Sequence, residues 1–204
     1  MYKKSLAELL GTFTLSLVVL LVVATGGPGI VGAIFASITL GLLVYTIGPV
    51  SGCHINPAVT VAQLVMKKIS VKGAVFFITA QFAGALGALL VSGLFVSAVP
   101  AATEEVFKMK PFLAEIIGTF LFVFGIASVV YGKAKEQMSG FVVGGSLLLG
   151  VLVSSLSGAM GILNPAVALV LNYPSAILIV MYMSAPIIGA VCGFTAYKFL
   201  AEGE

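Results

Sequence analysis

Ser51-Gly52-Cys53-His54-Ile55-Asn56-Pro57-Ala58-Val59-Thr60 and its shorter echo Leu163-Asn164-Pro165-Ala166-Val167 carry the decisive information about the fold. Each Asn-Pro-Ala is a helix start. Asn is a preferred N-cap, and Pro suits the first helical position, where its missing N–H is not needed. The apolar stretch after each start is too short to cross a bilayer. From Pro57 about eleven residues pass before Lys67-Lys68, ~16 Å at ~1.5 Å per residue, or half of a ~30 Å hydrocarbon core. From Pro165 only about eight pass before Asn172-Tyr173-Pro174. Half-helices that begin at membrane depth need cover from protein or a water-filled cavity, because lipid satisfies no backbone polar group.

Composition supports a membrane setting. The 204 residues are 60% hydrophobic and 8% charged, with mean hydropathy +1.22, more apolar surface than a soluble domain could hide. The charge inventory is ten Lys and seven Glu with one His, and neither Arg nor Asp occurs. No block is basic enough to suggest nucleic acid. Cys53 and Cys192 sit in apolar surroundings without CxxC spacing, so neither a disulfide framework nor a metal site is indicated, and no cofactor is expected. Lys3-Lys4 before an apolar run resembles a signal peptide, but the run from Leu6 to Ala24 is longer than usual and contains Glu8. It is read as a retained helix.

Six long apolar segments are expected at about 5–24, 31–50, 71–95, 112–132, 140–158 and 175–200, with the half-helices after the second and fifth. Gly26-Gly27-Pro28-Gly29 reads as a turn, and 97–111, with Pro100, Glu104, Glu105, Lys108, Lys110 and Pro111, as the one long polar linker. Cytoplasmic termini would place Lys3, Lys4, Lys67, Lys68, Lys72, Lys133, Lys135 and Lys198 inside and only Lys108 and Lys110 outside, a positive-inside bias.

The two halves repeat. Ala7-Glu8-Leu9-Leu10-Gly11-Thr12-Phe13 matches Ala114-Glu115-Ile116-Ile117-Gly118-Thr119-Phe120 at an offset of 107, and Asn56 and Asn164 are 108 apart. Ala80-Gln81-Phe82-Ala83-Gly84-Ala85 corresponds to Ala185-Pro186-Ile187-Ile188-Gly189-Ala190 at an offset of 105. Three spans per half make the repeats inverted, so the half-helices enter from opposite faces and meet N-terminus to N-terminus near the middle. Gly84, Gly87, Ala88, Gly189, Ala190 and Gly193 would let the helices pack closely around them. The expected organisation is one channel domain over 1–204, with repeats at about 1–96 and 112–204 and the linker 97–111 between them.

Glu-x-x-Gly-Thr-Phe in each half, Ser-Gly-x-His-x-Asn-Pro-Ala-Val-Thr at 51–60 and the second Asn-Pro-Ala at 164–166 together resemble the aquaporin and aquaglyceroporin family, the major intrinsic proteins, over essentially the whole chain. The resemblance implies an all-α membrane protein, six transmembrane helices plus two re-entrant half-helices around one pore per subunit, usually a homotetramer in the lipid of the cell membrane. It also implies an outer filter set by the residue after the second Asn-Pro-Ala, one twenty positions before the first Asn, and one on the fifth helix. Counting gives Val167, Ala36, and either Leu152 or Gly150, with Phe35 one position off. Where the family normally has Arg this chain has Val167. The approach to the second motif is also irregular, since six residues separate Ser157 from Asn164 and four separate Ser51 from Asn56.

Asn56 and Asn164, in front of Pro57-Ala58 and Pro165-Ala166, can cap their half-helices and offer side-chain N–H groups to a pore. The two N-termini would bring roughly +0.5 charge equivalents each to the midplane, a barrier to cations and protons. Carbonyls of Gly52, Cys53, His54 and Ile55, and of Gly161, Ile162 and Leu163, would otherwise be orphaned in the membrane and could line each half-pore. His54 could line the cytoplasmic mouth or be a packed imidazole bonded to backbone. Glu8 and Glu115, one turn inside their helices, could be proton relays, but are better read as structural acceptors for the N–H groups of their own half's re-entrant loop. The reading is therefore a passive channel for water and small uncharged solutes of glycerol or urea size. A coupled transporter would need a titratable or ion-coordinating group at the midplane, where only the Asn pair lies. An intramembrane enzyme would need a nucleophile–base pair or metal-ligand spacing, and neither occurs.

Overall fold

Each long apolar segment forms one helix, and each Asn-Pro-Ala starts a short one. The computed structural model describes residues 1–26, 29–96, 106–171 and 175–202. The helices are α1 (Tyr2–Ala24), α2 (Gly29–Ser51), α3 (Pro57–Val65), α4 (Val71–Ser92), α5 (Met109–Val130), α6 (Ser139–Leu156), α7 (Pro165–Leu171) and α8 (Ala176–Glu202). Among the described residues, six of these are long and apolar enough to cross a membrane. Parts of three expected features, the Gly27-Pro28 turn, the linker over 97–105 and Asn172-Tyr173-Pro174, lie outside the described residues. Met109 already opens α5, three residues before the expected start, and α4 ends at Ser92 rather than 95.

The crossing helices carry apolar residues on all sides. Leu42, Leu90, Phe141 and Val180 are exposed, as a lipid-facing surface requires, while small residues point inward. The inward faces pack α1 against α4 and α5 against α8, and α2 meets α6 between the two halves. Gly84 lies directly on the Leu9 carbonyl, and Gly189 sits in the same way on the Ile116 carbonyl, so the duplicated pairs cross at matching points. At the α2–α6 crossing a Cβ on Gly41 would come 2.9 Å from the Gly140 carbonyl oxygen, and one on Gly144 would come 2.6 Å from that of Ser37. Tyr45 ties the same crossing by donating to the Gln137 carbonyl (2.9 Å) and accepting from Phe141 N–H (3.3 Å).

These close crossings leave room between the halves for α3 and α7. Half-helix α3 lies chiefly against α8 of the other repeat, and α7 against α8 and α4. At its far end α3 closes with Lys67 at φ +57°, letting Lys68 N–H reach the Gln63 carbonyl at 2.8 Å, a Schellman-type stop with Lys where glycine is usual. The Lys68 ammonium then rests 4.5 Å from the centre of the Tyr131 ring at the end of α5.

A methyl group at Gly84 or Gly189 would have to push two helix backbones apart. Gly84→Ala and Gly189→Ala are each expected to destabilise the bundle by about 1–3 kcal/mol. A thermal unfolding series in detergent checks this, and Gly87→Ala, whose Cβ would meet only the Phe13 ring at 3.5 Å, serves as the tolerant control.

Candidate functional site

The two re-entrant loops are held from the middle by the buried carboxylates. Glu8, fully buried on α1, accepts from the Ser51 hydroxyl (2.6 Å), His54 N–H (3.0 Å), Ile55 N–H (2.6 Å) and the Gln81 side-chain amide (2.8 Å). Glu115, 1% exposed on α5, accepts from the Ser154 hydroxyl (3.0 Å), Ile162 N–H (3.0 Å) and Leu163 N–H (2.9 Å). All these partners are donors, the set an acceptor-only carboxylate asks for. Each carboxylate is thereby tied to the loop of its own half.

The loop residues so held have unusual backbone. Ile55 and Leu163, the residues immediately before each Asn, have φ of +38° and +53°. Such conformations cost about 1–3 kcal/mol each for residues with a branched side chain. Each charge-assisted N–H bond to the glutamate contributes about 1.5–3 kcal/mol, and the two per loop offset strain of that order. The turned backbone directs the Ile55 and Leu163 carbonyls across the pseudo-two-fold axis. Asn56 Nδ2 donates to the Leu163 carbonyl (2.9 Å) and Asn164 Nδ2 to that of Ile55 (3.0 Å). On the other side each Asn caps its own helix, with Oδ1 accepting from Ala58 N–H (2.9 Å) or Ala166 N–H (3.0 Å). Each amide therefore has one further N–H, and both asparagines border a cavity between the halves. Pro57, Ala58, Pro165 and Ala166 are buried behind them.

That cavity, about 160 Å³, runs from the Asn pair to the face where α1 ends and α2 begins. Its walls include Val19, Ala36, Leu147, Val151 and Val167, and its loop side His54, Ile55, Gly161 and Ile162. Gly52, Cys53 and Leu163 are not on it. Of the expected filter positions Ala36 and Val167 lie on the cavity. Phe35 does not, and is 51% exposed on the outside of α2. Neither Gly150 nor Leu152 lines it: a Cβ on Gly150 would come 3.1 Å from Phe122 Cβ and 2.9 Å from Leu163 Cδ1, so that position is consumed by helix packing, and Leu152 is half-buried elsewhere. The fifth-helix wall is Val151, with Leu147 and Ser155 one turn to either side.

The misplaced count has a physical origin. The glutamate contacts make Ser154, not Ser157, the counterpart of Ser51. From Ser51 to Asn56 is five positions and from Ser154 to Asn164 is ten, so the second loop is longer by five residues and counting back from Asn164 loses the register of α6. His54 departs from both expectations, since the cavity it borders opens on the face opposite the termini and its ring is not bonded to backbone. It borders the cavity, and it is packed, with Nδ1 3.1 Å from the Thr60 hydroxyl rather than on backbone and its ring edge-on to Phe77 at 5.2 Å. Gln81 and Thr60 were missed as site residues; the available signal was an amide in the middle of an otherwise apolar span.

A family model described as Major intrinsic protein matches residues 1–197. The chain belongs to the major intrinsic protein family. It is 35% identical to "Probable aquaporin NIP7-1" of Arabidopsis thaliana over 96% of this chain and 76% of that one. It is 30% identical to "Aquaporin AqpM" of Methanothermobacter marburgensis over 98% of both. The X-ray structure of the aquaglyceroporin from Plasmodium falciparum superimposes with a TM-score of 0.73 at 18% identity, covering 98% of this chain and 96% of that one, and shares its fold. As a member of this family the protein is an integral membrane channel for water and small solutes, not an enzyme.

Removing either carboxylate leaves two loop N–H groups and a serine hydroxyl without their acceptor, at about 1–3 kcal/mol per group. Glu115→Ala and Glu8→Ala are expected to lower the yield of folded protein and its melting temperature. Gel-filtration and melting curves of purified variants test this, and wild-type values for both would contradict the structural role.

Proposed function

We propose that this channel passes neutral solutes of glycerol or urea size with only modest water flux, and excludes cations and protons at the midplane rather than at an outer filter. The observation that carries the reading is that the filter positions on the cavity are Ala36, Val151 and Val167, none of them aromatic or charged, with the rings of Phe122 and His54 elsewhere on its lining. An uncharged, small-residue constriction is wide. It also lacks the donors that would replace water's hydrogen bonds as it enters, so width favours larger solutes while water gains little. Exclusion of cations then falls to the two half-helix N-termini and the Asn N–H groups, which present positive potential where the loops meet.

The lysine distribution supports cytoplasmic termini, with the cavity opening to the outside of the cell membrane and the other half-path, toward Lys67 and Lys133, inside. The family habit of forming homotetramers fits the apolar outer faces of the helices, where lipid would cover the rest. The inverted halves at about 1–96 and 112–204 work as one domain, since each supplies one Asn to the same point.

Stopped-flow light scattering of proteoliposomes tests the selectivity. Glycerol and urea are expected to enter measurably faster than into protein-free vesicles, and Val167→Arg to reduce solute flux more than water flux. A parent that passes water quickly yet excludes glycerol and urea would overturn the wide-filter reading. In the same vesicles Asn56→Asp or Asn164→Asp is expected to admit a cation leak, because a carboxylate replaces a donor at the positive midplane. Folded variants as cation-tight as the parent would contradict the midplane barrier.

A further inference from the structure

We propose that His54 is the hydrogen-bond acceptor of the channel midplane: a relay from Glu8 through Gln81 and Thr60 holds its ring as the Nδ1–H tautomer, so that Nε2 presents a bare lone pair to the permeant and selects for solutes that bring a donor. This rests on the channel reading above and names the chemistry of the solute it favours.

The relay is set link by link. The Glu8 carboxylate takes the Gln81 Nε2 amide at 2.8 Å, which fixes which end of that amide faces it. The second hydrogen of the same nitrogen goes to Thr60 Oγ1 at 2.9 Å. Thr60 has one hydroxyl hydrogen, and of its two acceptors the Asn56 carbonyl one turn back, at 3.1 Å, is nearer than the Gln81 side-chain oxygen at 3.4 Å. Helical threonines here donate to the carbonyl one turn back, as Thr12 does to Glu8 (2.8 Å) and Thr119 to Glu115 (2.7 Å). With its hydrogen so used, Thr60 Oγ1 is an acceptor toward His54 Nδ1, 3.1 Å away, and the ring proton sits on Nδ1. Phe77, at an interplanar angle of 78°, keeps the ring from turning. Nε2 has no protein partner among the described residues and lies along exposed Gly52, at a residue that borders the cavity.

The other half of the molecule is an internal control. There Ala168 stands where Thr60 does, Pro186 where Gln81 does, and Ile162 where His54 does. Glu115 nonetheless holds its loop through the same two N–H bonds and a serine. Holding a loop therefore does not require the amide and the threonine. Their distinct task is the imidazole, and they are its positioning residues.

The single histidine makes the test direct. Protein labelled with ¹⁵N-histidine and reconstituted in lipid at neutral pH gives one pair of ring resonances by solid-state NMR. The expected spectrum has a protonated Nδ1 and an unprotonated Nε2. An Nε2–H tautomer or an imidazolium in the parent overturns the proposal without recourse to any variant. Thr60→Val, or Gln81→Leu should that variant fail to fold, is expected to shift the tautomer, and Thr60→Ser to restore it; an unchanged spectrum in a folded variant refutes the relay. In vesicles, Thr60→Val is expected to lower the urea-to-water permeability ratio by about three- to tenfold, the weight of one hydrogen bond. No loss of that ratio refutes the role in selection. A parent that passes no solute at all would instead sink the channel selectivity proposed above, and the permeant half of this proposal with it, while the spectrum would still decide the tautomer.

Discussion

Two carboxylates in the apolar middle of a helix bundle hold up everything else. A chain that stops being helical halfway through a bilayer must find partners for its backbone there, and lipid supplies none. Glu8 and Glu115 supply them, each taking two successive loop N–H groups and a serine hydroxyl from the preceding helix. Burying a carboxylate without such donors would be prohibitive, and turning Ile55 and Leu163 to positive φ without such acceptors would be unfavourable. Each feature is stable only because of the other. The consequence reaches the function, because the turned carbonyls are what the opposite asparagine grips, and that cross-grip sets where Asn56 and Asn164 stand in the cavity.

The duplication explains the close symmetry of this framework, and its departures mark where the halves have separate work. The glutamates, the serines, the strained residues and the capping asparagines all recur. The first half adds Gln81, Thr60 and His54, and the second adds five residues to its loop, with Met160 and Gly161 placed on the cavity. Ala36, Val151 and Val167 border the cavity beside this longer loop.

Much of this was legible in the residues themselves. Two Asn-Pro-Ala starts followed by runs too short to span a membrane imply half-helices, and the offset of 107 between Glu8 and Glu115 implies their shared role. The register of α6 was not legible. Ser154, Ser155 and Ser157 are equivalent on paper, and only the distance to Glu115 tells which one matches Ser51. Nor could propensity foresee positive φ at Ile55, where a β-branched side chain argues against it and a tertiary hydrogen bond overrides the local preference. The polar relay was hidden for a similar reason: Gln81 and Thr60 are 21 residues apart and on different helices, brought together only by the packing of α3 on α4.

The most direct measurement of the central claim is amide hydrogen exchange on the lipid-reconstituted protein, read at His54, Ile55, Ile162 and Leu163. These amides lie in non-helical loops beside a cavity that water can reach, so without the carboxylate bonds they would exchange as fast as ordinary loop positions. The account predicts that all four are protected to the level of the α1 and α5 interiors. Rapid exchange at these four sites in a folded channel would contradict it, and would mean that the glutamates do not carry the loops.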